Sequence, residues 1–268
     1  KDSDRFLMVL SPFIIFSGAL LTFIAIPFSS NLVISDFNIG IFYIIAMSSV
    51  GVIGIILAGW SSNNKWSLYG AMRAAAQIIS YEIPIGLSLL LAVLVTGSLN
   101  IGDVVLWQEN NRWFIFHSPF MFLSFFIFFV SVVAETNRVP FDIPEAESEL
   151  VAGWMTEYSG FRWAIFFLTE YGNVLIVSLV ASIVFLGGWL SPMHMFNIFP
   201  ESWYLLDGPI IGVMWLFIKA SVLIFVMMWF RWTFPRLRVD QLMYLCWKVF
   251  IPFSLINLFF VSFLELIF

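Results

Sequence analysis

IGIFYIIAMSSVGVIGIILAGW, residues 39–60, runs for 22 positions without a charged side chain. A helix needs about 20 residues to cross a bilayer's hydrocarbon, so this run is long enough by itself. Working outward from it, six more apolar runs of similar length cover 6–28, 74–97, 113–134, 163–189, 209–230 and 249–268. Backbone groups cannot stay unpaired in lipid, and the runs are too continuous for alternating barrel strands, so helices are expected. The composition agrees. The chain is 61% hydrophobic and 11% charged, against about 25% charged in soluble domains. Its mean hydropathy is +0.98. The fold class read from this pattern is all-α, a polytopic transmembrane bundle of seven spans forming a single membrane domain over residues 1–268. Pro12, Pro84 and Pro252 fall inside runs and should kink them.

Basic residues orient the bundle. Ten of the twelve lie at the start or in the connections that share its side, from Lys1, Arg5, Lys65 and Arg73 to Arg231, Arg236, Arg238 and Lys248. Arg112 stands on the other side and Lys219 inside a run. By the positive-inside rule the chain starts on the cytoplasmic or matrix side. With seven spans it ends outside.

Several chemistries lose support at once. One cysteine, Cys246, excludes a disulfide framework and a Cys-ligated iron–sulfur cluster. Two histidines, His117 and His194, do not make a His-rich metal site, and no metal site is expected. No GxGxxG or GxxxxGK[ST] pattern occurs, so nucleotide binding has no support. No nucleic-acid partner is expected either.

The connection after the fourth run, residues 135–162, stands out. With the start of the next run it holds Glu135, Asp142, Glu145, Glu147, Glu149, Glu157 and Glu170, seven of the chain's 17 acids within 36 residues. A solvated acidic loop is the plain alternative. Against it, the acids interleave with Val, Phe, Ile, Leu, Trp and Met and continue into a span at Glu170. If the chain is helical from Pro144 onward, Glu145 and Glu149 share a face, where like charges repel unless a cation such as Arg138 intervenes.

Glu82 and Glu170 stand eight and seven residues into their runs, about 10–12 Å below the inner surface. With Glu135 and Glu157 they are expected to converge in the inner half of the membrane. Carboxyls there mark an ion or proton path, the plainer reading being a neutral Glu hydrogen-bonded between helices. Lys219 should lie near the midplane, as a proton carrier or a carboxylate's partner. His117 reads as structural, and Glu265 should reach the outer surface.

ETNRVPFDIPEAESELVAG (135–153), followed by TEY at 156–158 and again at 169–171, resembles the protein at the junction of respiratory complex I, the family known in mitochondria as NADH dehydrogenase subunit 1. AGWSSNNKWSLYGAMRAAAQIISYEIP (58–84), FLGGW (185–189) and FPRLRVDQLMYLCWKVFIP (234–252) carry the same likeness. The resemblance implies a membrane-arm subunit that forms part of the quinone chamber's entrance and begins the proton path. Ubiquinone or another quinone would be the substrate. Flavin and iron–sulfur clusters would lie in partner subunits. The partners implied are hydrophilic quinone-site subunits, antiporter-like membrane subunits and lipids.

On matching positions Glu82, Glu135, Glu157 and Glu170 would form the glutamate path. Arg138, Asp142, Glu145, Glu147 and Glu149 would form the loop linking it to quinone. Arg73, Arg236 and Arg238 would face the redox arm. No catalytic residue is assigned. The family has one more helix before a segment like KDSDRFLMVLSP, so that helix is expected to be removed, omitted or supplied by a separate chain. The Phe-rich composition points to a mitochondrial inner membrane, with the bacterial plasma membrane as alternative. Three competing functions are a stand-alone cation/proton antiporter, a structural anchor for a redox arm, and the equivalent subunit of a membrane-bound hydrogenase.

Overall fold

A computed structural model describes residues 3–144, 152–195 and 208–267. Its elements are helices, with one isolated bridge between Ser29 and Leu32. In chain order they are α1 (Arg5–Ile24), α2 (Gly40–Ser61), α3 (Lys65–Thr96), α4 (Ile101–Asn110), α5 (Phe114–His117) and α6 (Pro119–Glu135). A 3-10 turn (Gly153–Met155) precedes α7 (Phe161–Phe185), and another (Pro192–Met195) precedes α8 (Pro209–Thr233). A final helix begins as α9 (Val239–Tyr244), passes through a π-helical segment (Leu245–Phe250) and continues as α10 (Ile251–Ile267).

Short polar side chains set the starts. Asp4 accepts from the Phe6 and Leu7 amides, Asn64 from Trp66, Asn100 from Gly102 and Ser118 from Met121. Gly97, with φ +70°, ends α3.

Among the described residues, six helices are long and apolar enough to cross a membrane, and the 17-residue α6 is shorter. The seventh crossing expected at 113–134 is broken where Ser118 caps α6 and Pro119 opens it. Two spans start well before their apolar runs. α3 begins at Lys65 rather than near 74, and the last helix at Val239 rather than near 249. Their first turns mix charged and apolar residues, so hydropathy misses them, although the Asn64 cap marks the start of α3. The 32 residues of α3 measure about 48 Å, more than the hydrocarbon thickness. Its first turns therefore project beyond the membrane core.

The helices pack as neighbours in a bundle: α1 on α2, α2 on α3, α3 on α6 and α10, α1 on α7, and α7 on α8. Phe13, Phe42, Phe122, Phe225, Trp229 and Phe259 remain exposed, an apolar exterior suited to lipid rather than water.

Two irregularities answer each other. Pro84 has no amide to give the Ser80 carbonyl, and the buried Cys246 thiol donates to it instead at 3.0 Å. The π-helical turn shifts the bonding that follows Leu242, and the Tyr81 hydroxyl donates to the Leu242 carbonyl at 2.9 Å. Consecutive residues of α3 are thereby pinned to the last helix.

Close approach fixes the limb that leads into α7. A Cβ on Gly70 would lie 2.8 Å from Gly153 backbone atoms, and Ser67 Oγ donates to the Trp154 carbonyl at 3.1 Å. Gly70→Ala gains about 1 kcal/mol of helix propensity but forces two backbones apart, which costs about 1–3 kcal/mol. The net expectation is a lower Tm of the detergent-solubilised protein. A Tm at or above that of the parent would show that the limb yields freely.

Candidate functional site

The site begins where α6 stops. Asn137 takes φ +52°, a left-handed conformation that Asn tolerates better than most residues. The Asn137 and Arg138 amides donate back to Ala134 and Val133. This reversal turns the Arg138 side chain across to α7. Its Nη2 lies 3.9 Å from Glu170 Oε2, each side chain 17% exposed, and its guanidinium sits 4.3 Å above the Tyr171 ring. At 3.9 Å the pair attracts but makes no direct hydrogen bond.

Further along, Gln77 of α3 donates to the carbonyls of Ala134 (2.7 Å) and Phe141 (2.9 Å). The Leu237 amide donates to the Pro140 carbonyl. Arg236 then pairs with Asp142 at 3.0 Å. Burial pushes the Asp142 carboxyl above its ordinary 3.8, opposed by Arg236, Arg138 and Arg231. Among the described residues, Asn137 Oδ1, Arg138 Nη2 and Asp142 Oδ1 are buried without a hydrogen-bond partner. Buried groups of this kind take ordered water or further protein groups.

Deeper in the bundle, Glu82 of α3 accepts a hydrogen bond from Ser49 of α2 and lies within electrostatic reach of Glu135. Glu82 is 17 residues into α3, about 25 Å from its start, because the helix begins earlier than its apolar run. A cavity of about 70 Å³ is lined by Glu135, Thr136, Asn173, Ser48, Thr22 and apolar neighbours. Asn173 follows Glu170 by about one helical turn. The cavity is polar enough and large enough for water. Of the three glutamates on α3, α6 and α7, Glu135 lines this cavity, Glu82 lies within electrostatic reach of Glu135, and Glu170 faces Arg138.

Glu157 does not join them. It is exposed after the 3-10 turn and accepts from Asn64 Nδ2 at 2.8 Å. Its neighbour Tyr158 is buried, with its hydroxyl 2.9 Å from Ser11 Oγ and 3.0 Å from Ser61 Oγ. Tyr158 ties down the loop and leaves Glu157 at the surface. Glu145, Glu147 and Glu149 lie outside the described residues.

Arg73, Arg236 and Arg238 line a large cavity at the basic end of the bundle, about 1100 Å³. Tyr69, under the Arg73 guanidinium at 5.4 Å, and Leu68, Met72, Leu237, Leu242 and Met243 share its wall.

Lys219 is buried as expected, but its Nζ donates to the carbonyls of Leu186, Gly188 and Leu190 beyond the end of α7. These three bonds go to backbone carbonyls. His117 packs edge-on against Trp107, in keeping with a structural role. Glu265 is exposed.

Sequence reasoning did not single out Ser49, Gln77, Asn173 or Arg231. Arg231 acts electrostatically on both Asp142 and Glu170. Its signal was its place in the last turn of α8, facing the acidic connection.

These features define a polytopic helical membrane protein that carries ionisable groups within its bundle and a cation-lined cavity at its basic end. The family model described as NADH dehydrogenase matches residues 1–262. Three similar proteins are each named as the H subunit of NADH-quinone oxidoreductase. That of Chlorobaculum tepidum is 51% identical over 259 residues, 95% of this chain and 72% of the relative. That of Bacteroides fragilis is 48% identical over 260 residues, 96% and 71%. That of Magnetococcus marinus is 47% identical over 260 residues, 97% and 71%. The chain belongs to the NADH dehydrogenase family. These relatives are bacterial, which accords with a bacterial plasma membrane and lends no support to the mitochondrial reading of the composition.

Proposed function

We propose that this chain is the membrane-arm subunit of an NADH-quinone oxidoreductase that receives quinone at its basic end and passes the effect of quinone reduction to buried carboxyls. Ubiquinone or another quinone is the substrate. The flavin and iron–sulfur centres belong to partner subunits, since one buried cysteine cannot hold a cluster. The remaining partners are the hydrophilic quinone-site subunits, the antiporter-like membrane subunits and lipid. Residues 1–268 act as one membrane domain.

One observation carries this reading. Arg236 lines the 1100 Å³ cavity and pairs with Asp142 at 3.0 Å, so a single side chain touches both the cavity and the carboxyl system. The cavity suits a quinone. Its aliphatic wall takes an isoprenoid tail and its arginines face a head group whose oxygens gain negative charge on reduction. That charge competes with Asp142 for Arg236. Asp142 and Arg231 act electrostatically on Glu170, which faces Arg138. A polar cavity lies beside Glu135 and Asn173, and Glu135 is within electrostatic reach of Glu82. A pKa change of one unit corresponds to about 1.4 kcal/mol, so a modest field change reloads such carboxyls with protons. Glu145, Glu147 and Glu149 add charge to the same loop, and Glu157 acts from its surface end.

Arg236→Gln tests the reading directly. The expected result is a several-fold higher KM for quinone together with fewer protons moved per electron in reconstituted complex. Parental values of both would overturn it.

Asp142 supplies a pH test. A carboxyl whose pKa is raised on folding stabilises the fold fully below its unfolded pKa and loses that contribution as pH rises through the folded value. In its ionised form Asp142 is held by Arg236 and lies in the field of Arg138 and Arg231. Acidification protonates it before ordinary aspartates and releases Arg236. The acid limb of quinone reductase activity should contain an ionisation above the usual aspartate range that Asp142→Asn removes. An unchanged acid limb in that variant would exclude Asp142 from control.

A further inference from the structure

Gln77, like Arg236, reaches both the cavity at the basic end and the connection that follows α6. Of the α3 residues on the cavity wall it lies furthest along the helix, about 18 Å from Lys65. The side chain is 3% exposed. Its Nε2 donates to the Ala134 carbonyl at 2.7 Å and to the Phe141 carbonyl at 2.9 Å. Both acceptors are carbonyls, so they fix which end of the amide points at them, and both N–H bonds of the group are used. One nitrogen thereby closes the reversal from 134 to 141.

Arg138 sits inside that closure. Its amide donates to the Val133 carbonyl, and its own carbonyl accepts from the Phe141 amide at 2.8 Å. The far limb is held to the cavity as well. Ile143 lines it, and Leu237, another wall residue, donates its amide to the Pro140 carbonyl. The Phe141 ring meets Tyr81, one turn beyond Gln77 on α3, with ring centroids 6.1 Å apart. α3 therefore holds the residue before Asp142 twice, by its carbonyl and by its ring. One distance depends on this hold. Arg138 Nη2 stands 3.9 Å from Glu170 Oε2, just beyond a direct hydrogen bond. A shift of about 1 Å in the reversal either closes that gap into a charge-assisted bond or opens it further.

We propose that Gln77 is a positioning residue that sets the Arg138–Glu170 gap and through which an occupant of the cavity moves it. An occupant that presses on the amide draws on both carbonyls at once and displaces the reversal as a unit. Gln77 suits this role because the reversal does not depend on it to fold. Each carbonyl has a second donor, the Asn137 amide for Ala134 at 3.2 Å and the Ile143 amide for Phe141 at 2.9 Å. Removing the side-chain donors therefore leaves neither acceptor bare. The proposal rests on the quinone-to-carboxyl reading and adds, beside the electrostatic contact at Arg236, a mechanical one at Gln77.

The test uses the intact complex with a short-chain ubiquinone. Gln77→Met keeps the length of the side chain and removes both donors. It is expected to lower kcat about fivefold, equivalent to about 1 kcal/mol. KM for the quinone should stay within about twofold of parent, whereas a merely loosened wall would raise it. The loss should vanish in an Arg138→Met background, because a residue that acts through another adds nothing once that other is gone. Deuterium exchange gives the structural readout. Adding the quinone should change exchange at the Arg138 and Phe141 amides, both internally bonded, in the parent and not in Gln77→Met. An assembled Gln77→Met complex with parental kcat, or with a loss undiminished in the Arg138→Met background, would overturn the proposal. If the variant does not assemble, exchange in the parent decides, and no response to the quinone overturns it. Arg236→Gln separates that failure from failure of the reading beneath it. Parental KM and proton ratio in Arg236→Gln would count against the quinone-to-carboxyl reading itself, and altered values would leave it standing without Gln77.

Discussion

Arg138→Met is expected to reduce quinone-linked electron transfer at least tenfold. The guanidinium faces Glu170, lies over Tyr171 and acts on Asp142. Methionine keeps much of the apolar stem but leaves the mostly buried Glu170 without its nearest cation. Stripping one partner from a buried pair costs about 3–5 kcal/mol. The site can lower that cost by keeping Glu170 protonated, which blocks proton exchange at that carboxyl. A tenfold loss corresponds to about 1.4 kcal/mol in the rate-limiting barrier, well within what the lost pair supplies. Steady-state NADH-to-quinone assays on membranes with matched complex content measure it. Arg138→Lys should recover only part of the rate, because an ammonium does not reproduce a planar cation stacked on Tyr171.

Glu170→Gln carries the second large effect. The amide keeps the size of the carboxyl but cannot exchange a proton. Coupled turnover is expected to fall several-fold while the complex still assembles, because burying an amide is less costly than burying a charge. Full coupled turnover would remove Glu170 from the path. Combining the two substitutions adds a finer prediction. Once Glu170 is neutral, losing Arg138 should cost less than it does alone, since the two groups interact and their effects do not add. Additive losses would mean that Arg138 acts mainly elsewhere.

Much of the fold was legible because lipid imposes a length on apolar segments. Residues 39–60 and α2 differ by one residue at each end. Hydropathy failed where a helix outlasts the hydrocarbon. Asn64 and Arg238 precede helix starts that lie about ten residues ahead of the apolar runs, and their polar first turns resemble loops to a hydropathy window. α4 escaped notice because ten residues are too few to span, although Asn100 and Asp103 marked its start.

The site was legible to the same degree. Counting depth along spans predicted that Glu82, Glu135 and Glu170 share one interior; Glu82 and Glu135 lie within electrostatic reach of each other, while Glu170 faces Arg138 and Asp142. Glu157 went astray because counting cannot see that Tyr158 is drawn in to Ser11 and Ser61, which turns its neighbour outward to Asn64. The burial of Lys219 could be read from its place in a run, but its partners could not. Backbone carbonyls carry no sequence signature, and only the paired glycines of FLGGW hinted that the chain folds back there.

The central claim is that quinone chemistry at the basic end changes the protonation of carboxyls inside the bundle. Reduction-induced infrared difference spectroscopy of the intact complex tests this most directly, because a protonated carboxyl has its own carbonyl-stretch band. A band that appears or vanishes on quinone reduction, and that is lost in both Glu82→Gln and Glu170→Gln, is the predicted result. Difference spectra identical in the parent and both variants would contradict the account.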